Sequence, residues 1–246
     1  MTTVARGMSL PEVMVALALG LGIGLTALTA WHALRASGQA FLAQQSLQHN
    51  ARMAWAALRT QALLAGGAQL LGVAGSAGVR PTSAEALARS AVQATDGGPR
   101  GSDTLQLVHW RSLDAQDCLG QSAGSQPLVA SQFQRSTSTV DDLACKDTQA
   151  SGSTFQSLAE GVRDLQVWLA EVSADGQGLQ WKTPAQVSDP ARVVALRVCL
   201  HMTTPEPVRE ATGGIGCRDE AVASDGRLHH TVTHTLALPA RLGLWP

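Results

Sequence analysis

The sequence contains no tyrosine and few charged residues. Asp, Glu, Lys and Arg make up 15% of its 246 residues, against about 25% in an ordinary soluble protein. The 18 basic and 19 acidic side chains nearly cancel, so the chain as a whole has no electrostatic attraction for nucleic acid. Disorder is excluded because 45% of the residues are apolar. The mean hydropathy of +0.04 excludes a protein with many membrane spans.

One long uncharged run stands at the N-terminus, from Val13 to Ala30, and no second run of this kind follows. Its length approaches the roughly 20 residues that a helix needs to cross a bilayer. Charge is distributed unevenly around it: the first 66 residues carry four arginines and one acid, whereas the remaining 180 carry 14 basic and 18 acidic residues. The sequence therefore predicts one membrane segment followed by a globular part.

Three interpretations of this segment are open: a cleaved secretory signal, a plain anchor, or a segment cleaved before its apolar run. The run is longer than a secretory signal requires, and cleavage after Ala30 or Ala33 would put Leu28 or Trp31 where a small residue is needed. A plain anchor fits the length but leaves Glu12 unexplained, because a carboxylate in hydrocarbon is costly and usually functional.

The residues Arg6–Val13 resemble the prepilin signature of type IV pilins and type II secretion pseudopilins. The resemblance implies that a prepilin peptidase cuts after Gly7 and methylates the new N-terminal amine on Met8, and that Glu12 is the family's hallmark acid. Two features depart from the family's commoner pattern: Met8 replaces Phe, and Pro11 stands at a position that is usually Ile or Val. Proline is tolerated in the first turn of a helix, where its missing N–H costs nothing.

Glu12 then has a hypothetical role in assembly. In a filament, the N-terminal amine of one subunit lies beside the glutamate of its neighbour, and an opposite charge makes a buried carboxylate tolerable. The alternative is a carboxylate without function in the headgroup region. Gly20 and Gly24 likewise have two interpretations: a small-xxx-small pair that lets helices approach closely, or residues that merely lower helicity.

The helix is expected to continue well beyond the membrane. Residues 32–65 contain no proline and many good helix formers, and Gly66-Gly67 marks the end of the pattern. Apolar residues at helical spacing predict one buried stripe with Trp55 beside it. The stripe comprises Leu47, Ala51, Ala54, Leu58 and Ala62. We therefore expect a leader over 1–7, a helix over 8–66 of roughly 85 Å, transmembrane over about 8–31, and a periplasmic globular domain over 67–246.

From Thr104 onward the apolar residues alternate with a period of two, which is typical of strands. The clearest strand places Val194, Leu196, Val198 and Leu200 on one face. Asp-Gly turns separate such segments. The pattern predicts an α+β fold, in which the long N-terminal helix packs on a mostly antiparallel β-sheet.

The globular part is similar to the PilW-type minor pilins of type IV pilus assembly. Four short segments carry this resemblance: Gly101–Leu105, Glu160–Val167, Val193–Val198, and Asp225–Leu228, which leads into a Thr-rich last strand. The family's fold, a long helix packed on an antiparallel sheet, agrees with the pattern read from the residues.

Four cysteines, Cys118, Cys145, Cys199 and Cys217, allow three pairings, and none has the C-x-x-C spacing of a zinc or redox site. A globular part beyond a membrane segment with a basic cytoplasmic leader would face an oxidising periplasm. We favour the sequential bridges Cys118–Cys145 and Cys199–Cys217, free cysteines being the alternative.

We expect no metal, no cofactor and no catalytic site. His229, His230 and His234 are the strongest metal candidates, but only His230 and His234 share a strand face and no carboxylate is nearby in sequence, so the ligands are too few for a structural zinc site. The sequence has neither a phosphate-binding loop with lysine nor H-E-x-x-H. A basic stripe with aromatic residues for nucleic acid is also missing.

These observations predict a PilW-type minor pilin, a structural subunit that acts in starting or stabilising a type IV pilus and is not an enzyme. Its expected partners are other minor pilins, the major pilin, the prepilin peptidase and the inner-membrane assembly platform. Its expected location is the bacterial inner membrane, then the pilus. Two alternatives remain open: a minor pseudopilin of a type II secretion system, and a membrane-anchored periplasmic binding module.

Overall fold

The computed structural model describes residues 9–67, 91–110, 116–121, 128–138, 141–208 and 211–239. The expected leader 1–7, including Gly7, and the first residue after it, Met8, lie outside these residues.

A single helix, α1 (Leu10–Leu64), forms the N-terminal part of the described chain. It has 55 residues and therefore a length of about 80 Å. Ser9 is its N-cap and Pro11 lies in its first turn. The helix ends where the glycine pair predicts, because Gly66 takes a φ of 77° that few other residues adopt.

Eleven strands follow in the described part of the chain. They are β1 (Val92–Thr95), β2 (Thr104–Trp110), β3 (Leu128–Arg135), β4 (Asp142–Asp147), β5 (Gln156–Glu160), β6 (Val162–Val172), β7 (Leu179–Lys182), β8 (Val193–Thr203), β9 (Gly214–Ile215), β10 (Ala221–Val222) and β11 (His229–Ala237). Every pairing among them is antiparallel. The α+β prediction is confirmed.

The strands form two main sheets where the sequence predicts one. The first sheet has the order β1-β2-β3-β4-β5, in which neighbours in the chain are neighbours in space, and the second has the order β11-β8-β6-β7. Strands β9 and β10 form a small separate ribbon. The split occurs at Gly161, the one residue between β5 and β6. Its φ of 84° turns the chain out of the first sheet and into the second.

The C-terminal half of α1 packs against both sheets. The predicted apolar stripe is confirmed: Ala54, Leu58 and Ala62 are fully buried, and Leu47 and Ala51 are nearly so. The helix contacts β2 and β5 of the first sheet, and β8 and β11 of the second. The stripe thus belongs to one core that the helix shares with the inner faces of both sheets, which include Leu105, Phe133, Leu165, Leu196 and Leu200.

One polar residue, Gln61, interrupts the buried stripe. Its Nε2 donates to the Gln116 carbonyl at 3.2 Å, and its Oε1 accepts from the Ser131 hydroxyl at 3.1 Å. Because both ends of the amide are paired, Gln61 fixes the helix to the first sheet without leaving a buried polar group unsatisfied.

Candidate functional site: the exposed helix and the junction between the sheets

The N-terminal half of α1 projects away from the sheets and is apolar on every side. Its most apolar 18-residue window has a mean hydropathy of 2.1, and none of it is buried. Ile23, for example, is 69% exposed. Within the described residues it is the one helix long and apolar enough to cross a membrane. An apolar surface of this size is stable only in lipid or against other apolar helices.

Gly20 and Gly24 lie on this exposed half. A Cβ atom added at either position would meet nothing within 4 Å, so no contact inside the chain requires glycine there. Together they leave a shallow apolar depression beside Leu17, Leu21 and Leu28. This surface supports the hypothesis of close helix packing, since small residues let a neighbouring helix approach.

Glu12 takes part in a local contact that the sequence reasoning did not find. Its Oε2 accepts from the backbone N–H of Ser9 at 3.5 Å. Ser9 is the N-cap of α1 and Glu12 is the third residue of the helix, which is the spacing of a capping box. The sequence signal for this capping box is the pattern Ser-x-x-Glu, which stands directly before the apolar run. Glu12 therefore helps to start the helix, whatever it does between subunits.

The junction between the sheets is centred on Gly161. The Gly161 N–H donates to the Asp141 carbonyl at 2.5 Å, and the Gly161 carbonyl accepts from the Thr203 N–H at 2.8 Å. Gly161 thereby connects the edge of the first sheet with the end of β8 in the second. It belongs to the segment Glu160–Val167, which was one of the four segments of the family resemblance.

Arg163 forms ion pairs that link the two sheets. Its guanidinium contacts Asp225 at 2.5 Å and Asp141 at 3.5 Å. Asp141 also accepts from Arg100 at 3.0 Å and from Arg135 at 2.5 Å. One carboxylate shared by three arginines is an ion-pair network rather than an isolated surface pair, and such networks contribute more to stability.

Ser102 and Asp103 tie the start of β2 to β6. The buried Asp103 carboxylate accepts from the N–H groups of Val167 at 2.9 Å and Gly97 at 3.2 Å. Burial raises the pKa of Asp103, although these two hydrogen bonds act in the opposite direction. The Ser102 hydroxyl donates to Asp164 at 2.7 Å.

Three of the four resemblance segments thus meet at one place, although about 60 residues separate each from the next. The segment around Asp103 contacts the segment around Arg163, which in turn contacts Asp225. The fourth segment forms the first half of β8, beside β6 in the second sheet. These residues hold the two sheets together. Asp103, Arg163 and Asp225 each face an opposite charge or a backbone donor, so their contacts are structural.

The three histidines of β11 occupy different environments, and His230 is exposed. His229 contacts Asp225 at 3.1 Å through Nε2 and His201 at 3.0 Å through Nδ1, so this histidine has a carboxylate beside it, whereas the sequence argument for His230 and His234 counted none nearby. Burial lowers the pKa of His201, and His229 and Arg163 lower it further. His234 packs edge-on against Trp55, with ring centroids 4.5 Å apart. In the described part of the chain, no three His, Cys, Asp or Glu side chains are grouped to hold a metal ion.

Two disulfides are present, and they join the sequential pairs. Cys118–Cys145, with Cα atoms 6.4 Å apart, attaches the segment before β3 to β4 in the core. Cys199–Cys217, with Cα atoms 5.7 Å apart, fastens the loop between β9 and β10 to β8. Each bridge fixes a segment with little regular structure to a central strand.

A short hydrolase-like pattern does occur, although no catalytic site was expected: residues 120–124 read Gly-Gln-Ser-Ala-Gly. In hydrolases this spacing places the serine at a sharp turn between a strand and a helix. Residues 122–127 lie outside the described structure, and only three residues separate Gly124 from the start of β3 at Leu128.

Residues 132–240 match the family model described as PilW, Type IV Pilus-assembly protein W. The match extends from the second half of β3 to just beyond β11, a little under half of the chain, and contains three of the four resemblance segments. The resemblance to PilW-type minor pilins is confirmed over this part. No curated protein sequence matches the chain.

Among solved structures, a type IV-like pilin from Thermus thermophilus is similar to this chain. The two share 15% sequence identity with a TM-score of 0.39, and the alignment covers 64% of this chain and 93% of that chain. The similarity is too low to serve as evidence for function.

Proposed function

We propose that this chain is a minor pilin, a structural subunit in the assembly of a type IV pilus. The observation that carries the proposal is the exposed apolar half of α1, which follows a prepilin-like signature and is joined to a globular part that matches the PilW family. The helix can lie in the membrane before assembly and among other subunits' helices afterwards. Both environments are apolar, so the same surface serves in each.

The proposed sequence of events begins with cleavage after Gly7 by a prepilin peptidase and methylation of the amine of Met8. Cleavage removes the basic leader with Arg6 and leaves a new N-terminus four residues before Glu12. In the filament, the Glu12 carboxylate would accept the amine of a neighbouring subunit, while Gly20 and Gly24 would allow that neighbour's helix to approach. The sheets would contact other minor pilins and the major pilin.

The charge distribution of the globular part supports a structural role. Among the described residues, the charged groups at the junction of the sheets are engaged mostly with one another. These pairings suit a globular part whose charged groups hold its own two sheets together.

Cell fractionation tests this proposal. In a strain with the prepilin peptidase, the chain should be recovered with sheared pili, whereas in a strain without it the chain should stay in the inner membrane. A Gly7 variant that blocks cleavage serves as the matched control, because it leaves the peptidase and all other subunits unchanged. Recovery with pili in all three strains would contradict the proposal.

The two alternatives give different results. A minor pseudopilin of a type II secretion system would depend on the same peptidase, but its loss would stop secretion of folded proteins and leave pili intact; its genomic neighbours would also be secretion genes. A membrane-anchored binding module would keep its function in the uncleaved Gly7 variant.

A further inference from the structure

Strand β11 forms one edge of the second sheet, and among the described residues it pairs with β8 alone. The Leu238 N–H donates to the Val194 carbonyl at 2.9 Å, and the Leu228 carbonyl accepts from the Thr204 N–H at 3.1 Å. These two bonds, at either end of β11, show that its even-numbered residues turn their N–H and C=O groups towards β8. Alternate residues of a strand turn these groups to opposite sides, so the odd-numbered residues of β11 turn theirs away from β8.

The accessible part of this side runs from Thr233 to Ala237, and we call it the open edge. It begins at Thr233 because the preceding odd-numbered residue, Thr231, contacts the small ribbon through a hydrogen bond from its hydroxyl to the Ile215 carbonyl. Thr233, Thr235 and Ala237 are exposed. In the described part of the chain, their N–H and C=O groups have no backbone partner. A row of backbone groups with this spacing fits an extended strand that pairs along it.

The other edges of the two main sheets are short or covered, whereas β11 is neither. Strands β1 and β7 have four residues each, and β5 lies against α1. Strand β11 has nine residues, which include no Pro, Lys, Arg, Asp or Glu, and its register with β8 is continuous. Short length, proline, charge and bulges are the features by which proteins keep an edge from pairing. Their absence from the longest edge indicates an edge that pairs with another strand.

A second copy of the chain does not fit this edge. Two identical antiparallel strands pair symmetrically about a two-fold axis normal to the sheet. The helix α1 packs along the inner faces of the sheets, so this rotation reverses the direction of the helix. The exposed apolar halves of the two helices would then point in opposite directions and could not enter one membrane. The pairing strand therefore belongs to a different polypeptide.

We propose that the open edge accepts one antiparallel strand from a different polypeptide in the same membrane, which, if the proposed function holds, is another subunit of the pilus. The antiparallel sense is favoured because such pairs are slightly more stable per residue. The added strand lies beside Thr233 and Thr235 on the outer face of the sheet and beside Leu236 on the face towards the core. Small β-branched residues and apolar residues at alternate positions suit these neighbours.

Photo-cross-linking of the full-length chain in cells that make pili tests this pairing. The reporter is p-benzoylphenylalanine, placed in turn at Thr233, Thr235 and Ala237. Each time the reporter moves two residues forward along β11, its attachment point on an antiparallel partner strand should move about two residues back. A partner that docks on the face of the sheet does not produce this stepping. A reporter at Glu206, which is exposed and outside β11, is the control and should not reach the same partner segment.

The substitution Thr235→Pro tests the backbone hydrogen bonds of the pairing. Because the Thr235 N–H points away from β8, this change removes a donor from the open edge and no bond within the sheet. The cross-link yield from the reporter at Thr233 should fall about fivefold, as the loss of one hydrogen bond implies. Thr235→Val is the matched control, because it keeps the N–H and the branched shape, and it should leave the yield unchanged. If Thr235→Pro fails to fold, the stepping of the attachment points decides alone.

Four results would overturn the proposal: attachment points that do not step, a yield no higher than that of the Glu206 control, an unchanged yield in folded Thr235→Pro, or a cross-link between two copies of the chain. Failure of the proposed function gives a different result, because the chain would then be absent from sheared pili whatever its cross-links. Stepped cross-links in a chain absent from pili would contradict the proposed function and leave the pairing of the open edge intact.

Discussion

Gly161 and Thr203 approach each other so closely that no side chain fits between them. A Cβ atom on Gly161 would lie 2.3 Å from the carbonyl oxygen of Thr203, and the φ of Gly161 is 84°. The same two residues share a backbone hydrogen bond of 2.8 Å. This contact is where the chain leaves the first sheet and enters the second, so the relative position of the sheets depends on it.

Replacing Gly161 with alanine should therefore destabilise the protein by about 3 kcal/mol or more, because positive φ costs a non-glycine residue about 1–2 kcal/mol and the steric clash adds to it. Urea unfolding of the full-length chain in detergent measures the loss. Gly152→Ala is the matched control: Gly152 has a φ of 77° and open space around its Cα. The free energy of unfolding of Gly152→Ala should fall only by the cost of the positive φ. Equal losses in both variants would refute a special role of the Gly161–Thr203 contact.

The stability of the globular part should fall in acid because of Glu171. Burial raises the pKa of its carboxyl group, but hydrogen bonds from Lys182, Ser188 and the Asp189 N–H outweigh this effect and lower the pKa from 4.5 to about 2. A carboxyl group with a lowered pKa in the folded state stabilises the fold above its unfolded pKa and loses that contribution as the pH falls. The contribution of Glu171 should thus be complete above pH 4.5 and disappear towards pH 2.

Glu171→Gln should destabilise the chain at pH 7 by about 2 kcal/mol, the value of hydrogen bonds to a charged group. Its unfolding free energy should also change less between pH 5 and pH 2 than that of the parent chain, within the window set by the pKa of Glu171. Glu206→Gln, the same chemical change at an exposed position, should do neither. A parent-like pH profile in Glu171→Gln would show that other groups cause the acid sensitivity.

The two disulfides can be tested without any variant, because trypsin separates the four cysteines. Cleavage after Arg and Lys yields peptides 112–135, 136–146, 198–209 and 210–218, each with one cysteine. Mass spectrometry of the unreduced digest should find 112–135 linked to 136–146, and 198–209 linked to 210–218. Crossed pairs or free peptides would contradict the pairing. Removal of either bridge should cost about 3 kcal/mol in the loop-entropy model.

Much of the fold could be predicted from the sequence because its determinants are local. The buried stripe around Leu58 and the alternation along β8 repeat with the period of their own element. The division into two sheets could not be predicted, because it depends on the backbone conformation of a single residue, Gly161. The junction was also missed: Arg163 and Asp225 lie 62 residues apart, and no periodic pattern connects them.

Glu12 can be assigned to helix capping or to subunit pairing by two substitutions. Glutamine keeps a hydrogen-bond acceptor for the capping box but removes the charge, whereas alanine removes both. If the carboxylate pairs with a neighbour's amine, Glu12→Gln and Glu12→Ala should both reduce incorporation into pili by about tenfold or more. Immunoblots of sheared pili, normalised to the amount in the membrane, measure this. Normal incorporation of Glu12→Gln would leave capping as the only role.

The most direct test of the central claim, that this chain is processed and assembled as a pilin, is the intact mass of the chain recovered from sheared pili. Our account predicts a polypeptide that begins at Met8, carries one additional methyl group on its amine, and contains two disulfides. Recovery of the chain from pili with residues 1–7 still attached, or its restriction to the membrane fraction of cells that make pili, would contradict that claim.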